Sequence, residues 1–248
     1  MSLGAWLAAR GGLAAVGLAL SVLGAMVSVV VALAMPADGG AGVAQLPTVA
    51  SSAIAWSAGV MLAFGAALRA LRRDREDGVM ALVRARGGSV GGYVWGRVGG
   101  LALVLGVAVG GATLVACLAA TSVARPSTLV LRSSAAAIVY ALAFASTVGP
   151  VAMASLGART RAGGYFTLLA VLVVPELLSP WTSALLPRGW HELTSIPAAL
   201  SAVRSGIAYP PVGTAHLARA LAGLAAVVAV SLVVVAARVV QRDIGEPA

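Results

Sequence analysis

The sequence predicts an all-α polytopic membrane protein with six transmembrane helices, in a single domain that covers residues 1–248. Hydrophobic residues make up 60% of the chain and charged residues only 10%, with a mean hydropathy of +0.99. A soluble domain has about 25% charged residues to solvate its surface, so this composition indicates lipid as the main solvent. Six apolar runs are long enough, or nearly so, to cross a bilayer as helices. They cover residues 12–35, 48–71, 94–122, 134–156, 163–178 and 214–240.

The six runs differ in how clearly they predict a span. The first is too long for a signal peptide, so we expect it to remain as the first span. Stretches rich in Gly, Pro and Arg separate the second, third and fourth runs. The fifth is the weakest, because Pro175 and Pro180 interrupt or end it. The sixth follows a long polar link in which residues 192–203 are too short to span, which indicates an outer surface helix or a re-entrant hairpin.

The charged residues predict the orientation of the chain. All seventeen cations are arginine, opposed by eight acids. Cytoplasmic segments of membrane proteins are enriched in cations, and a cytoplasmic amino terminus places twelve of the arginines inside and five outside. The inner set is Arg10, Arg69, Arg72, Arg73, Arg75, Arg84, Arg86, Arg97, Arg159, Arg161, Arg238 and Arg242. We therefore expect a multi-pass protein of the cell membrane (inner or plasma membrane) with both termini in the cytoplasm.

The composition also argues against several functions. The cations flank the apolar runs and form no basic, aromatic-interleaved stretch, so nucleic-acid binding is not expected. Because the chain has no lysine, it cannot contain the Walker A motif of a P-loop ATPase. Cys117 is the only cysteine, which predicts neither a disulfide nor a metal cluster. We expect that the chain is not an enzyme and binds no metal or cofactor.

Glu176 is the only acidic residue within a predicted span. A carboxylate inside a membrane costs several kcal/mol unless it finds partners, so such residues often mark a substrate path or a gate. A second interpretation is that the fifth span ends near Pro175 and leaves Glu176 in the outer interface. The sequence leaves both interpretations open.

Glycines in the third run predict a helix-packing face. Gly96 and Gly100, and then Gly106 and Gly110, are spaced as G-x-x-x-G pairs. Such pairs allow another helix to approach closely, either within one subunit or across a dimer.

A charged segment between the second and third runs predicts a short helix on the inner membrane face. Acids lie at its start, arginines lie at its end, and three apolar residues form a stripe at helical spacing. These residues are Asp74, Glu76, Asp77, Arg84 and Arg86, with Val79, Leu82 and Val83 in the stripe. Gly87 and Gly88 would end the helix. It would fit a groove in a soluble partner, or only anchor the loop to lipid head groups.

Three stretches, in their order and spacing, carry a family resemblance. They are residues 72–88 after the second run, Tyr93–Val98 at the start of the third, and Val151–Leu156 followed by 159–164. With the six-span plan, these stretches resemble the permease subunits of ABC-2 type exporters, including the permeases of the haem-export, copper-maturation and gliding-motility systems. In that family, short outer helices between the fifth and sixth spans close the exit.

The resemblance implies that the charged segment is a coupling helix that docks in a cleft of a cytoplasmic ABC ATPase dimer. The implied coupling residues are Arg75, Glu76, Asp77, Gly78, Leu82 and Arg86, with Glu76–Gly78 at the docking end and Leu82 in the cleft. It also implies a second permease copy or a similar permease, and contact with membrane lipid. ATP and Mg²⁺ would bind the ATPase and not this chain. The alternatives are a non-transporting scaffold that recruits a soluble partner, or a secondary carrier in which Glu176 takes part.

Overall fold

The fold is a bundle of long apolar helices. A computed structural model describes residues 12–35, 40–68, 70–123, 127–157, 161–187, 190–209 and 214–244, and these contain helices and turns but no strand. In this part of the chain, five helices are long and apolar enough to cross a membrane, or six if one bent pair counts as a single span. The prediction of an all-α protein with several helices able to cross a membrane is therefore confirmed. Residues 1–11 and 245–248, which we predicted to be cytoplasmic, lie outside the described residues.

Thirteen α-helices are numbered here in the order of the described chain. They are α1 (Gly12–Ala34), α2 (Gly40–Ile54), α3 (Val60–Ala67), α4 (Ala70–Glu76), α5 (Val79–Ala85), α6 (Val90–Leu105), α7 (Gly111–Val123), α8 (Thr128–Ala152), α9 (Arg161–Leu172), α10 (Val174–Leu177), α11 (Ser179–Leu185), α12 (Ile196–Ala208) and α13 (Thr214–Ile244). π-helical turns at Ala55–Gly59 and Gly106–Gly110 join α2 to α3 and α6 to α7, and a third at Met153–Gly157 follows α8. The 3₁₀ turn His191–Thr194 precedes α12.

These elements form the spans in chain order. The first span is α1, the second runs from Gly42 to Asp74, and the third from Gly91 to Val123. The fourth runs from Thr128 to Gly157, the bent pair is counted here as the fifth, and the sixth lies in α13. The second span begins earlier than predicted, because α2 continues through Pro47 without ending.

The fourth span is the centre of the bundle. Buried residues make up 72% of its most apolar window, against 22% in the first and sixth spans. Large apolar side chains of the outer spans, such as Leu33 and Val233, are therefore exposed on the outside of the bundle, as expected for lipid-facing positions.

Contacts between distant parts of the chain define two ends of the bundle. At one end, called proximal here, α4 packs against the turn Met153–Gly157, and Arg238 of α13 donates a hydrogen bond to the carbonyl of Ala154 at 2.7 Å. At the other end, called distal, Arg204 of α12 donates to the carbonyl of Thr48 at 3.1 Å. The chain therefore crosses between these ends in alternating directions.

The closest helix packing at a glycine occurs between the first and second spans. A Cβ on Gly65 of α3 would lie 2.3 Å from the backbone nitrogen of Ala14, and one on Gly17 would lie 2.6 Å from that of Leu62. The first and second spans are therefore in backbone contact. In the third span, a Cβ on Gly96 would have no heavy atom within 4 Å, and one on Gly106 would meet Ala145 only at 3.9 Å. Neither of these predicted positions requires a glycine for packing within this chain.

The fifth span is bent by 55° between Leu177 and Ser179. Pro175 and Pro180 lie in the first turns of α10 and α11, where a proline fits without losing a hydrogen bond. This confirms that the fifth run is interrupted near its prolines. Short helical segments continue past Glu176 as far as Leu185.

Helix α12 lies inside the bundle. Its buried residues pack against α8 and α13; they are Ile196, Ala199, Leu200, Ala202, Val203 and Ala208. Leu193, in the turn before α12, packs against Gly223 of the sixth span. Gly223 lies eight residues after the start of that span at Ala215, which is about 12 Å at a helical rise of 1.5 Å per residue. The link therefore packs against the bundle through the buried face of α12.

Candidate functional site

The predicted coupling segment forms two short helices and not one. Helix α4 ends at Glu76 and α5 begins at Val79. Between them, Gly78 has a φ of +67°, a left-handed conformation that glycine adopts without steric cost. The prediction of a single helix was wrong because Gly78 breaks it at this point.

The end of α5 is closed by a glycine motif. Gly87 has a φ of +71°, its N–H donates to the carbonyl of Arg84 at 2.9 Å, and the N–H of Gly88 donates to the carbonyl of Val83 at 2.8 Å. This is the Schellman arrangement that ends helices, so the predicted stop is confirmed. Ser89 then accepts a hydrogen bond from the N–H of Gly92 at 3.0 Å and caps α6. Residues 76–88 are called the arm from here on.

The arm projects from the proximal end of the bundle. The main packing partner of α5 is α4, and 56% of Leu82 is exposed. Asp77 and Arg86 are also exposed, and Glu76 pairs with Arg72 at an Nε–Oε1 distance of 2.7 Å. The structure does not describe the side chain of Arg75. The structure thus presents an apolar side chain among charged ones on an outward surface.

The base of the arm is held by a buried ion pair that the sequence did not reveal. Asp74 in α4 and Arg97 in α6 are 1% and 5% exposed. The Nη2 of Arg97 donates to Oδ1 of Asp74 at 2.9 Å, and its Nε lies 2.7 Å from Oδ2. The hydroxyl of Tyr93 donates to the same Oδ2 at 2.5 Å. We predicted Asp74 among the acids at the start of the coupling helix, but the structure places it inside the bundle, where it pairs with Arg97.

This cluster connects the second and third spans where the arm leaves them. Removing one partner of a buried ion pair leaves an unpaired charge, at a cost of about 3–5 kcal/mol. The arm is therefore a loop closed at its base by Asp74, Arg97 and Tyr93. A force applied to the arm would reach both spans together.

Glu176 lines a polar cavity in the distal half of the bundle. The cavity has a volume of about 460 Å³, and residues around it include Ser52, Trp56, Tyr140, Glu176, Arg204 and Ser205. The hydroxyl of Ser195, at the N-cap of α12, donates to Oε2 of Glu176. This space is called the distal cavity from here on. Glu176 is itself exposed, so it lines the cavity from an accessible position.

Arg204 of α12 is fixed on the wall of the distal cavity. Its Nη1 donates to the carbonyl of Thr48 at 3.1 Å and to the hydroxyl of Ser52. The guanidinium lies 5.2 Å from the ring centroid of Tyr140, within the range of a cation–π contact. The indole N–H of Trp56 donates to the hydroxyl of Tyr140 at 2.8 Å. Trp56 lies in the π turn of the second span, a type of turn that is frequent at functional sites.

Sequence reasoning missed Arg204 and Arg97 as embedded charges. Arg204 was counted among the cations of the outer link, although it belongs to a stretch with helical apolar spacing. Arg97 was counted on the inner side, although it lies six residues inside the third span. An arginine within or next to an apolar helical stretch was the available signal in both cases, because such a charge requires a partner.

Comparison of the chain with protein-family models, with curated proteins and with solved structures finds no match in any of the three. The functional interpretation therefore depends on the geometry of the arm and of the distal cavity, and on the pattern of the sequence.

Proposed function

We propose that this chain is the membrane-spanning permease subunit of an ATP-driven ABC exporter. The arm is the observation that carries the proposal. It joins an exposed apolar residue, Leu82, to a base whose buried charges connect two spans. In this role the proximal end faces the cytoplasm, in agreement with the distribution of arginines.

Coupling would proceed through the arm. An ATPase dimer binds ATP and Mg²⁺ and closes, with Leu82 in its cleft and Glu76, Asp77 and Gly78 at the edge. The movement passes through Asp74 and Arg97 into the second and third spans. A second permease copy, or a similar permease, completes the transporter. This chain supplies no catalytic group of its own.

The first test is co-purification from detergent. A tagged chain is expressed in its native host, and any ABC ATPase retained after purification is identified and quantified by mass spectrometry. We expect the double variant Asp77→Lys, Leu82→Asp to retain about tenfold less ATPase than the wild type. The variant replaces an apolar anchor by a charge and reverses a second charge.

The matched control introduces the same type of change at the opposite end. Leu129 is 45% exposed in the first turn of α8, where an added Asp is compatible with the helix dipole. Leu129→Asp should retain the ATPase at the wild-type level. Equal retention by the arm variant and the control, with both inserted in the membrane, would contradict the proposal.

A secondary carrier is the second candidate, and the distal cavity is the observation that favours it. Glu176 and Arg204 place two ionisable groups of opposite charge on one cavity, and such groups often mark the pathway of a carrier. Uptake into proteoliposomes that contain only this chain, driven by an ion gradient without ATP, would identify a carrier. A scaffold would bind its soluble partner through the arm but would show neither type of transport.

A further inference from the structure

Two opposite charges face the distal cavity without neutralising each other. Glu176 and Arg204 both line it, and both belong to the described residues, yet they form no ion pair with each other. Asp74 and Arg97 show the contrast, since in the same bundle they are in direct contact at 2.7 Å. Charges within a membrane protein normally pair with one another or line a site of function.

Each of the two charges is held in place by its own neighbours. Ser195 donates to Glu176, and Thr48 and Ser52 accept from one Nη of Arg204. These contacts are with neutral groups, so they orient the carboxylate and the guanidinium without cancelling either charge. The two groups are therefore fixed on the walls of a space of about 460 Å³, which lies within the range of small-molecule sites.

We infer that the distal cavity binds a zwitterionic head group, with its cation towards Glu176 and its anion towards Arg204. A phosphate is well matched to a guanidinium, which offers several N–H donors in one plane. An ammonium is matched to a carboxylate, and the indole of Trp56 also lines the cavity. A ligand that carries both charges compensates both residues at once, which neither a cation nor an anion alone can do.

The ligand class would also be the substrate class of the proposed exporter, and in that respect the inference rests on the proposed function. The same chemistry occurs in a membrane phospholipid and in a free water-soluble phosphodiester. The cavity has an exposed residue in its lining and is compatible with either source, so the test uses probes of both kinds.

The test is calorimetric titration of the purified chain in a non-ionic detergent, without any ATPase. The probes are glycerophosphocholine, choline, glycerol 3-phosphate and dihexanoylphosphatidylcholine. We expect glycerophosphocholine to bind at least about tenfold more tightly than choline or glycerol 3-phosphate, because it makes both charged contacts. Tighter binding of the short-chain lipid than of glycerophosphocholine would support the inference and assign the lipid source. Equal binding of the two would support it with a free source.

Glu176→Gln tests the role of the carboxylate. Gln can still accept the hydrogen bond of Ser195 but has no charge, so glycerophosphocholine should bind about tenfold more weakly while glycerol 3-phosphate is unaffected. The matched control is Arg72→Gln in α4, which also removes an exposed charge but far from the cavity, and it should bind all probes as the wild type does. The inference is overturned if the zwitterion binds no better than the single-charge probes, or if both variants weaken its binding equally.

These results are separable from those on the proposed function. Zwitterion binding by a chain that recruits no ATPase would refute the exporter and leave the inference standing. An arm-dependent ATPase complex whose permease does not bind the zwitterion would refute only the inference.

Discussion

Replacing Arg97 by methionine should destabilise the bundle by about 3–5 kcal/mol, because Asp74 would remain buried without its cation. The carboxylate is 1% exposed and would retain only the hydrogen bond from Tyr93. The free energy of unfolding in mixed micelles, measured by denaturant titration, would report the loss. Adding Asp74→Asn to the same variant should recover part of it, since no charge would then remain in the cluster.

The surface pair of Arg72 and Glu76 provides the control for this prediction. Its side chains are 63% and 61% exposed, with the same 2.7 Å separation as the buried pair. Exposed pairs contribute about 1 kcal/mol or less, so Arg72→Ala should have little effect. If Arg97→Met and Arg72→Ala destabilised the protein equally, the cluster at the base of the arm would not be buried as the structure shows it.

Substituting alanine for Gly65 should separate the first two spans. The added methyl would lie 2.3 Å from the nitrogen of Ala14 and 2.6 Å from the carbonyl carbon of Leu13. These are backbone atoms and cannot rotate away, so α1 must shift as a whole. We expect a loss of about 3 kcal/mol in the free energy of unfolding, at the upper end of the range for overpacking.

Gly99→Ala in the third span gives the comparison for that measurement. No heavy atom lies within 4 Å of the site of its added methyl. Alanine is also favoured over glycine in a helix by about 1 kcal/mol, so this variant should be neutral or slightly stabilising. Equal stability of the two variants would show that the first span does not contact the second at Gly65.

The spans could be predicted from the sequence because lipid imposes a simple rule on composition and length. We predicted a helical span over residues 134–156, and in the structure this span is longer and covers Thr128–Gly157. Capping by Ser127, whose hydroxyl accepts from the N–H of Val130, explains the earlier start. The π turns and the contact at Gly65 could not be predicted, because each depends on which helix lies alongside and not on the local pattern.

The arm and the distal cavity were predicted to different degrees. The tendency of glycine to end helices correctly predicted the end of α5 at Gly87. The same tendency at Gly78 was overlooked. Glu176 was recognised because a single acid in an apolar run is conspicuous. The oppositely charged Arg204 is 28 residues away along the chain. The two residues line one cavity only because α12 packs back against the bundle.

The three π turns also indicate where the lengths of these helices are adjustable. A π turn accommodates one more residue than an α-helical turn between the same two flanking stretches. Deleting one residue at Ala55–Gly59 would convert that turn to a regular α-helical turn. Both flanking segments would then keep the same faces towards their neighbours. The same deletion elsewhere in a span would rotate one half against the other by about 100°. Insertions and deletions in the second, third and fourth spans are therefore best accommodated at these turns.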